Sequence, residues 1–245
     1  MKAIAIIPAR YASTRLPGKP LLNRTGKYLI QHVVEQVRQA RRLAGVYVAT
    51  DDERIAQAVK SFGGQAIMTR CDHATGADRL AEAAAKLALD DQDIVVNVQG
   101  DEPRIPPAYI DRLVGLLADS PAPMATLAAP LPADQVARPD RVKVVLDRQG
   151  RALYFSRAPI PFDRDRTGAD YLLHLGIYAY RKQFLLAFAG MEPTPAERAE
   201  KLEQLRVLEN GHEILVGVVE TPTPGIDTPA DYEAFVADLS AGGKI

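Results

Sequence analysis

The sequence predicts an α/β fold: a doubly wound, mostly parallel, Rossmann-like sheet with an inserted mixed or antiparallel β region. Three observations carry this. Short runs at 3–7, 46–50 and 94–98 are predominantly apolar on both faces and rich in β-branched residues. Strands of that kind are buried on both faces, as in parallel sheets. Between them lie stripes at helical spacing, Leu29, Val33, Val34 and Val37, then Ile55, Ala58, Val59 and Phe62. After about residue 120 the pattern changes. Apolar runs at 124–130, 142–147, 153–156 and 175–180 follow one another without full crossover helices, so part of the sheet is expected to be antiparallel.

The elements follow in order. Gly63-Gly64 closes the second helix as a C-terminal stop. An alanine-rich helix is expected over 77–89, which completes a β-α-β-α-β-α-β alternation with right-handed crossovers. Asp147-Arg148-Gln149-Gly150 reads as a hairpin turn. Two capping boxes, Thr194-Pro195-Ala196-Glu197 and Thr228-Pro229-Ala230-Asp231, place Pro at the first helical position and start helices near 195–209 and 229–239. No repeat, low-complexity tract or linker interrupts the chain. A single domain over 1–245 is expected, with a first half over 1–120, a β-rich insertion over about 121–182, and C-terminal helices with a loop over 183–245.

Composition narrows the function. The 245 residues are 47% hydrophobic and 25% charged, an ordinary globular balance for a chain long enough to bury a real core. Lys and Arg number 30 against 31 Asp and Glu, a net charge of -1, which argues against nucleic acid or an anionic membrane as a general partner. One cysteine makes no internal disulfide, so a reducing, cytoplasmic compartment fits best. The four histidines lack zinc-ligand spacing. The first apolar run ends at Pro8, too early for a signal peptide, and no later run approaches the roughly 20 residues that span a bilayer. A soluble protein with no membrane insertion is expected.

In doubly wound sheets, ligands sit beyond the carboxyl ends of the strands. That rule picks out three loops. Residues 8–20 hold Arg10, Arg15, Gly18 and Lys19 with Ser13 and Thr14 between them. Such a loop can wrap a polyphosphate with backbone N–H groups and aim cations at its oxygens. It is not a Walker A loop, because Ser13 and Pro20 stand where Gly and Ser or Thr are needed, and no G-x-G-x-x-G is present. A solvated basic loop is the plain alternative. Asn97-Val98-Gln99-Gly100-Asp101-Glu102-Pro103 places an acid just past a buried strand, a natural Mg²⁺ ligand facing a phosphate. The alternative is a cap for a helix starting near Pro106. In Gly225-Ile226-Asp227-Thr228-Pro229, Thr228 is the helix cap, which leaves Asp227 as a second candidate metal ligand or a turn carboxylate. Elsewhere, Arg157, His174 and Tyr178 sit at the ends of apolar strands, which suits a polar substrate. A lone His is nevertheless more often structural. Glu203-Gln204-Leu205-Arg206 is placed mid-helix, where charges usually form a solvated face. Cys71-Asp72-His73 is a weak metal signal.

Together these segments resemble the 3-deoxy-manno-octulosonate (Kdo) cytidylyltransferases, or CMP-Kdo synthetases, nearly end to end. IPARYASTRLPGKPL at 7–21, VATD at 48–51 and NVQGDEP at 97–103 carry the resemblance in the first half. VKVVLD at 142–147, ALYFSRAPIP at 152–161, HLGIYAYR at 174–181, LEQLRVL at 202–208 and GIDTP at 225–229 carry it in the second. The stretches at 152–161, 174–181 and 202–208 are the ones most particular to Kdo enzymes. Ala77 stands where that family usually has Thr, and the segment between Arg166 and Tyr171 is short for it.

The resemblance implies CTP and Kdo as partners and transfer of CMP to Kdo, with release of pyrophosphate, for lipopolysaccharide biosynthesis. The anomeric 2-hydroxyl would attack the α-phosphorus in line, a reaction driven by positioning and charge neutralisation. It implies Lys19, Asp101 and Asp227 as catalytic, with Mg²⁺ on Asp101 and Asp227 lowering the pKa of the attacking hydroxyl. Arg10, Ser13, Arg15, Lys19, Arg79 and Gln99 would bind the nucleotide. Gln99, Arg157, His174, Tyr178, Glu203 and Gln204 would face Kdo, with Arg157 as bidentate partner of its carboxylate. A homodimer built through 124–180 is implied as well. The rivals are a cytidylyltransferase for another acid sugar (8-amino-Kdo or sialic acid) and a non-catalytic nucleotide-binding protein on the same fold. An NAD-dependent oxidoreductase is disfavoured by the missing glycine fingerprint.

Overall fold

The computed structural model describes residues 1–12, 16–73 and 75–243. β1 (Ala3–Ala9) opens the chain and sits inside the sheet. Its neighbours are β2 (Gly45–Thr50) and β4 (Ile94–Asn97), both parallel to it, and β3 (Gln65–Met68) extends the parallel half beyond β2. Alternation along β1 shows why the run must be apolar on both faces. Ala3, Ala5 and Ile7 enter one core beside α1 (Leu29–Val37) and α4 (Pro107–Ala118), while Ile4 and Ile6 enter the other beside α3 (Gly76–Ala85). α2 (Glu53–Ser61) crosses from β2 to β3 and ends before Gly63, whose φ of 73° is the left-handed stop its sequence predicts.

The second half joins the same sheet. The order is β3-β2-β1-β4-β8-β5-β9, with β5 (Met124–Leu131), β8 (Tyr171–Arg181) and β9 (Ile214–Val218). β8 runs antiparallel to both β4 and β5, and β9 pairs parallel to β5. The region over 121–182 is therefore not a separate layer. β5 and β8 are interior strands, and only the hairpin of β6 (Lys143–Leu146) and β7 (Ala152–Ser156) lies off the main path. α5 (Lys182–Ala189) follows β8 directly, and α8 (Pro229–Ser240) closes the order.

The helix expected over 195–209 is two helices, α6 (Pro195–Glu200) and α7 (Gln204–Glu209). Lys201 ends α6 in the left-handed region, with φ 55° and ψ 50°. The break turns residues 201–204 towards the sheet instead of leaving Glu203 and Gln204 on a solvated face. A buried bidentate pair spans it: Arg206 donates to Glu197 through Nε–Oε2 at 2.8 Å and Nη2–Oε1 at 2.5 Å. Arg206→Leu strands the Glu197 carboxylate in the interior, which costs about 3–5 kcal/mol. The expected result is a lower urea midpoint at unchanged m-value; a native midpoint would show that the pair does not hold the break.

Candidate active site

The sheet has its switch point between β1 and β4, and the loops after these strands face one another there. Gly100 allows their approach, since a Cβ at that position would lie 2.9 Å from the Pro8 carbonyl oxygen. Gly18, at φ 66°, turns the first loop back into a short 3-10 turn over Lys19–Leu21. The turn brings the Lys19 ammonium 2.7 Å from Asp101 Oδ2, 2.9 Å from the Ile226 carbonyl and 3.5 Å from Asp227 Oδ1. Ile226 N–H in turn donates to the Asp101 carbonyl at 2.8 Å, and the Ile226 side chain is buried with Leu16, Leu29, Tyr232 and Phe235. The two carboxylates singled out far apart in the sequence thus meet at one point.

Neither carboxylate caps a helix. α4 starts after Pro106 with no side-chain cap, and Thr228 Oγ1 accepts from Asp231 N–H at 3.2 Å to cap α8. Asp101 and Asp227 are hard oxygen donors with a cation already held between them, so the pair suits Mg²⁺, which takes one or two carboxylates and completes its shell with phosphate and water. Among the described residues no cluster of three or more His, Cys, Asp or Glu could hold a metal, and that applies to Cys71-Asp72-His73 too. Burial, and then the Asp101 charge, push the neighbouring Glu102 carboxyl up to about 8.

Of the expected nucleotide ligands, Ser13 and Arg15 lie outside the described residues. Arg10 Nη2 donates to the carbonyls of His73 and Thr75, at 3.0 and 2.9 Å, and so pins the entrance to α3. Arg79 requires correction. Its side chain is fully buried, its Nη1 donates to Thr69 Oγ1 at 2.6 Å, and its Nη2 pairs with Asp51 Oδ2 at 3.1 Å. It braces α3 against the ends of β2 and β3 from a fully buried position, with its Nε left without a hydrogen-bond partner among the described residues.

On the loop after β4, Gln99, two residues before Asp101, lines a cavity of about 300 Å³. Gln99, Tyr178, Glu203 and Gln204 line it, as the resemblance implies, together with Asn97 and Lys201. Gln99 Nε2 donates to the Gly176 carbonyl at 2.9 Å. Burial, then the Glu203 charge, raise the Tyr178 phenol; burial also raises the Glu203 carboxyl. His174 falls on the far side of Gly176, in a separate cavity with Glu102 and Arg141. Its Nε2 meets Thr126 Oγ1 at 3.1 Å and its ring packs between Phe155 and Tyr178. It supports the cavity wall through Tyr178 and does not itself line the cavity.

Arg157 is the second correction. It does not line the cavity. Its Nε donates to the Glu200 carbonyl at 2.7 Å, its Nη1 to Pro139 at 2.9 Å and its Nη2 to Lys201 at 3.3 Å. The guanidinium is spent on carbonyl oxygens, two of them at the end of α6, where helix carbonyls lack partners of their own. The one cationic side chain lining the cavity among the described residues is Lys201, which the sequence reading passed over. Its position just before LEQLRVL was the available signal, but a lysine ahead of a helix reads as surface.

Comparison with known proteins places these features. A family model described as cytidylyltransferase matches residues 4–214. A 3-deoxy-manno-octulosonate cytidylyltransferase of Geobacter metallireducens is 52% identical over 253 residues, covering 98% of each chain. One of Syntrophobacter fumaroxidans is 54% identical over 245 residues, again covering 98% of each. A solved CMP:2-keto-3-deoxy-manno-octonic acid synthetase complexed with CTP superposes with a TM-score of 0.94 at 47% identity, covering 99% of this chain and 100% of that one. A cytidylyltransferase of Leptospira borgpetersenii, at 20% identity and a TM-score of 0.65 over 98% of this chain and 87% of that one, shares the fold.

The half-buried His174 sets an acid limit. Burial lowers its pKa from 6.5 to about 3. The unfolded chain therefore binds a proton between those values that the folded one does not. The stability this group contributes is present above pH 6.5 and is lost as the pH falls towards 3. By pH 5 the loss is roughly 2 kcal/mol, at 1.36 kcal/mol per pH unit. His174→Gln is expected to flatten the dependence of Tm on pH between 7 and 5; an unchanged slope would assign the acid sensitivity to another group.

Proposed function

This chain belongs to the cytidylyltransferase family, and on that premise we propose that it transfers CMP from CTP to Kdo, an activation step for lipopolysaccharide biosynthesis. The observation that carries the reading is the meeting of Lys19, Asp101 and Asp227 at the loop whose Gln99 lines a polar cavity of sugar size. The anomeric 2-hydroxyl of Kdo forms a bond to the α-phosphorus as the bond from that phosphorus to the pyrophosphate oxygen breaks. The hydroxyl proton leaves to solvent. Asp101 and Asp227 would hold Mg²⁺, which when bound neutralises phosphate charge and acidifies the attacking hydroxyl. The Lys19 ammonium then serves the leaving pyrophosphate, where negative charge grows in the transition state. Gln99, Glu203 and Gln204 orient the sugar, and Lys201 replaces Arg157 as the partner for its carboxylate.

A homodimer belongs to the same proposal, with its interface narrower than 124–180, because β5 and β8 are interior strands. The apolar groups left on the surface in this part are Leu153, Tyr154 and Phe162, the last 82% exposed. A cytoplasmic site fits a chain whose Cys71 is a free, exposed thiol and whose described helices include none long and apolar enough to cross a membrane.

The direct test is pyrophosphate release with CTP, Mg²⁺ and a panel of acid sugars that includes Kdo, 8-amino-Kdo and sialic acid. Turnover with Kdo is expected to exceed the others; release with none of them would overturn the reading. Asp227→Asn keeps the size but removes the charge, and kcat is expected to fall at least about a hundredfold, since the metal contributes several kcal/mol. Lys19→Ala is expected to lower kcat as well as CTP affinity. A rise in KM alone would make Lys19 a uniform binder.

A further inference from the structure

Asn97 is the last residue of β4, and the three before it, Ile94, Val95 and Val96, are buried and apolar. Alternation places Asn97 on the same face as Val95, the face covered by the alanines of α3 and by Phe188 of α5. An apolar side chain would suit that position. Instead there is an amide, 5% exposed, whose Oδ1 has no hydrogen-bond partner among the described residues. Burying a carbonyl oxygen without a donor costs stability, so natural interiors rarely contain one unless a ligand or function accounts for it.

The side chain lines the cavity that holds Gln99, Glu203 and Gln204. Gln204 shows the complementary feature: it is 4% exposed, and its Nε2 has no acceptor. One cavity therefore carries an unmet acceptor from the sheet and an unmet donor from α7. A hydroxyl both donates and accepts, and a polyhydroxylated sugar supplies several of them.

We propose that Asn97 is a specificity-determining residue that hydrogen-bonds a hydroxyl of the acid sugar, across the cavity from Gln204. This deepens the acid-sugar reading given above and rests on it. A purely structural asparagine would have its partners within the fold. The unmet oxygen at the wall of the sugar cavity is what separates the two roles.

The test sets Asn97→Leu, close in size and apolar, against the native enzyme. KM for Kdo is expected to rise about tenfold, the worth of one neutral hydrogen bond. KM for CTP is expected to stay within about twofold, and Tm to hold or rise, because an unmet polar group has been removed. A KM for Kdo within about twofold of native would overturn the proposal, whatever happens to Tm. If Asn97→Leu does not fold, Asn97→Ala is tested with Kdo analogues lacking one hydroxyl each. The native enzyme should lose about tenfold on one analogue, which Asn97→Ala treats like Kdo; an equal loss in both proteins would overturn the assignment. A native enzyme that releases no pyrophosphate with Kdo would instead sink the acid-sugar reading itself, so the two failures are distinguishable.

Discussion

The Lys19 ammonium donates to Asp101 Oδ2 and to the Ile226 carbonyl, and lies within reach of Asp227. It thereby ties the loops after β1, after β4 and before α8 to one point, where two carboxylates alone would repel. Each tie has a local cause. The parallel strands deliver the first two loops to the same edge, Gly100 lets their backbones approach, and the apolar cluster around Ile226 docks the third. A carboxylate pair gathered around a cation has the charge and the oxygen donors that a divalent cation would also take, so the contact that orders the loops and the chemistry proposed for them share one electrostatic origin.

Much of the remaining positive charge is structural. Besides Arg79 and Arg157, Lys143 is fully buried, and its ammonium donates to the carbonyls of Arg138, Arg141 and Arg157. Burial lowers its pKa. Together Lys143, Arg157 and the Glu200 carboxylate, which accepts from Ser156 Oγ and Arg157 N–H, fasten the β6–β7 hairpin to the end of α6. That fastening fixes the left-handed turn at Lys201 and with it the wall of the cavity that Lys201 lines.

How far the fold could be read in advance follows from the same physics. β1, β2 and β4 announce themselves because burial on two faces leaves them almost wholly apolar, with polar residues only at their ends, Thr50 and Asn97. β3 is short and half-exposed, and β9 lies in the stretch between two expected helices; neither is individually placed by pattern. The 195–209 helix is continuous in its capping signal, but its break depends on contacts with residues some forty positions earlier, which no local window contains. The carboxylate pair was only partly legible: position past a buried strand made Asp101 a candidate beside a helix-cap reading, Asp227 read equally as a turn carboxylate, and their meeting at Lys19 appears only in the fold. Arg79 and Arg157 differ from expectation because a cation that pairs with a substrate, one held by a hydroxyl and a carboxylate within the fold, and one that clamps carbonyl oxygens look identical in sequence. The meaning of Asn97 depends on the absence of a neighbour, which appears only in three dimensions.

β8, the longest strand, is antiparallel to both β4 and β5 and joins the two halves of the sheet. During synthesis β4 emerges long before residues 171–181 exist to pair with it. A nascent chain can stack β1 to β4 with their helices, but it then presents an open strand edge at β4, the kind of edge that templates intermolecular pairing. The interval between translation of β4 and of β8 is thus the period when this chain most needs protection from its neighbours. A ribosome stalled there would release a product more prone to aggregate than one stalled before β4 or after β8.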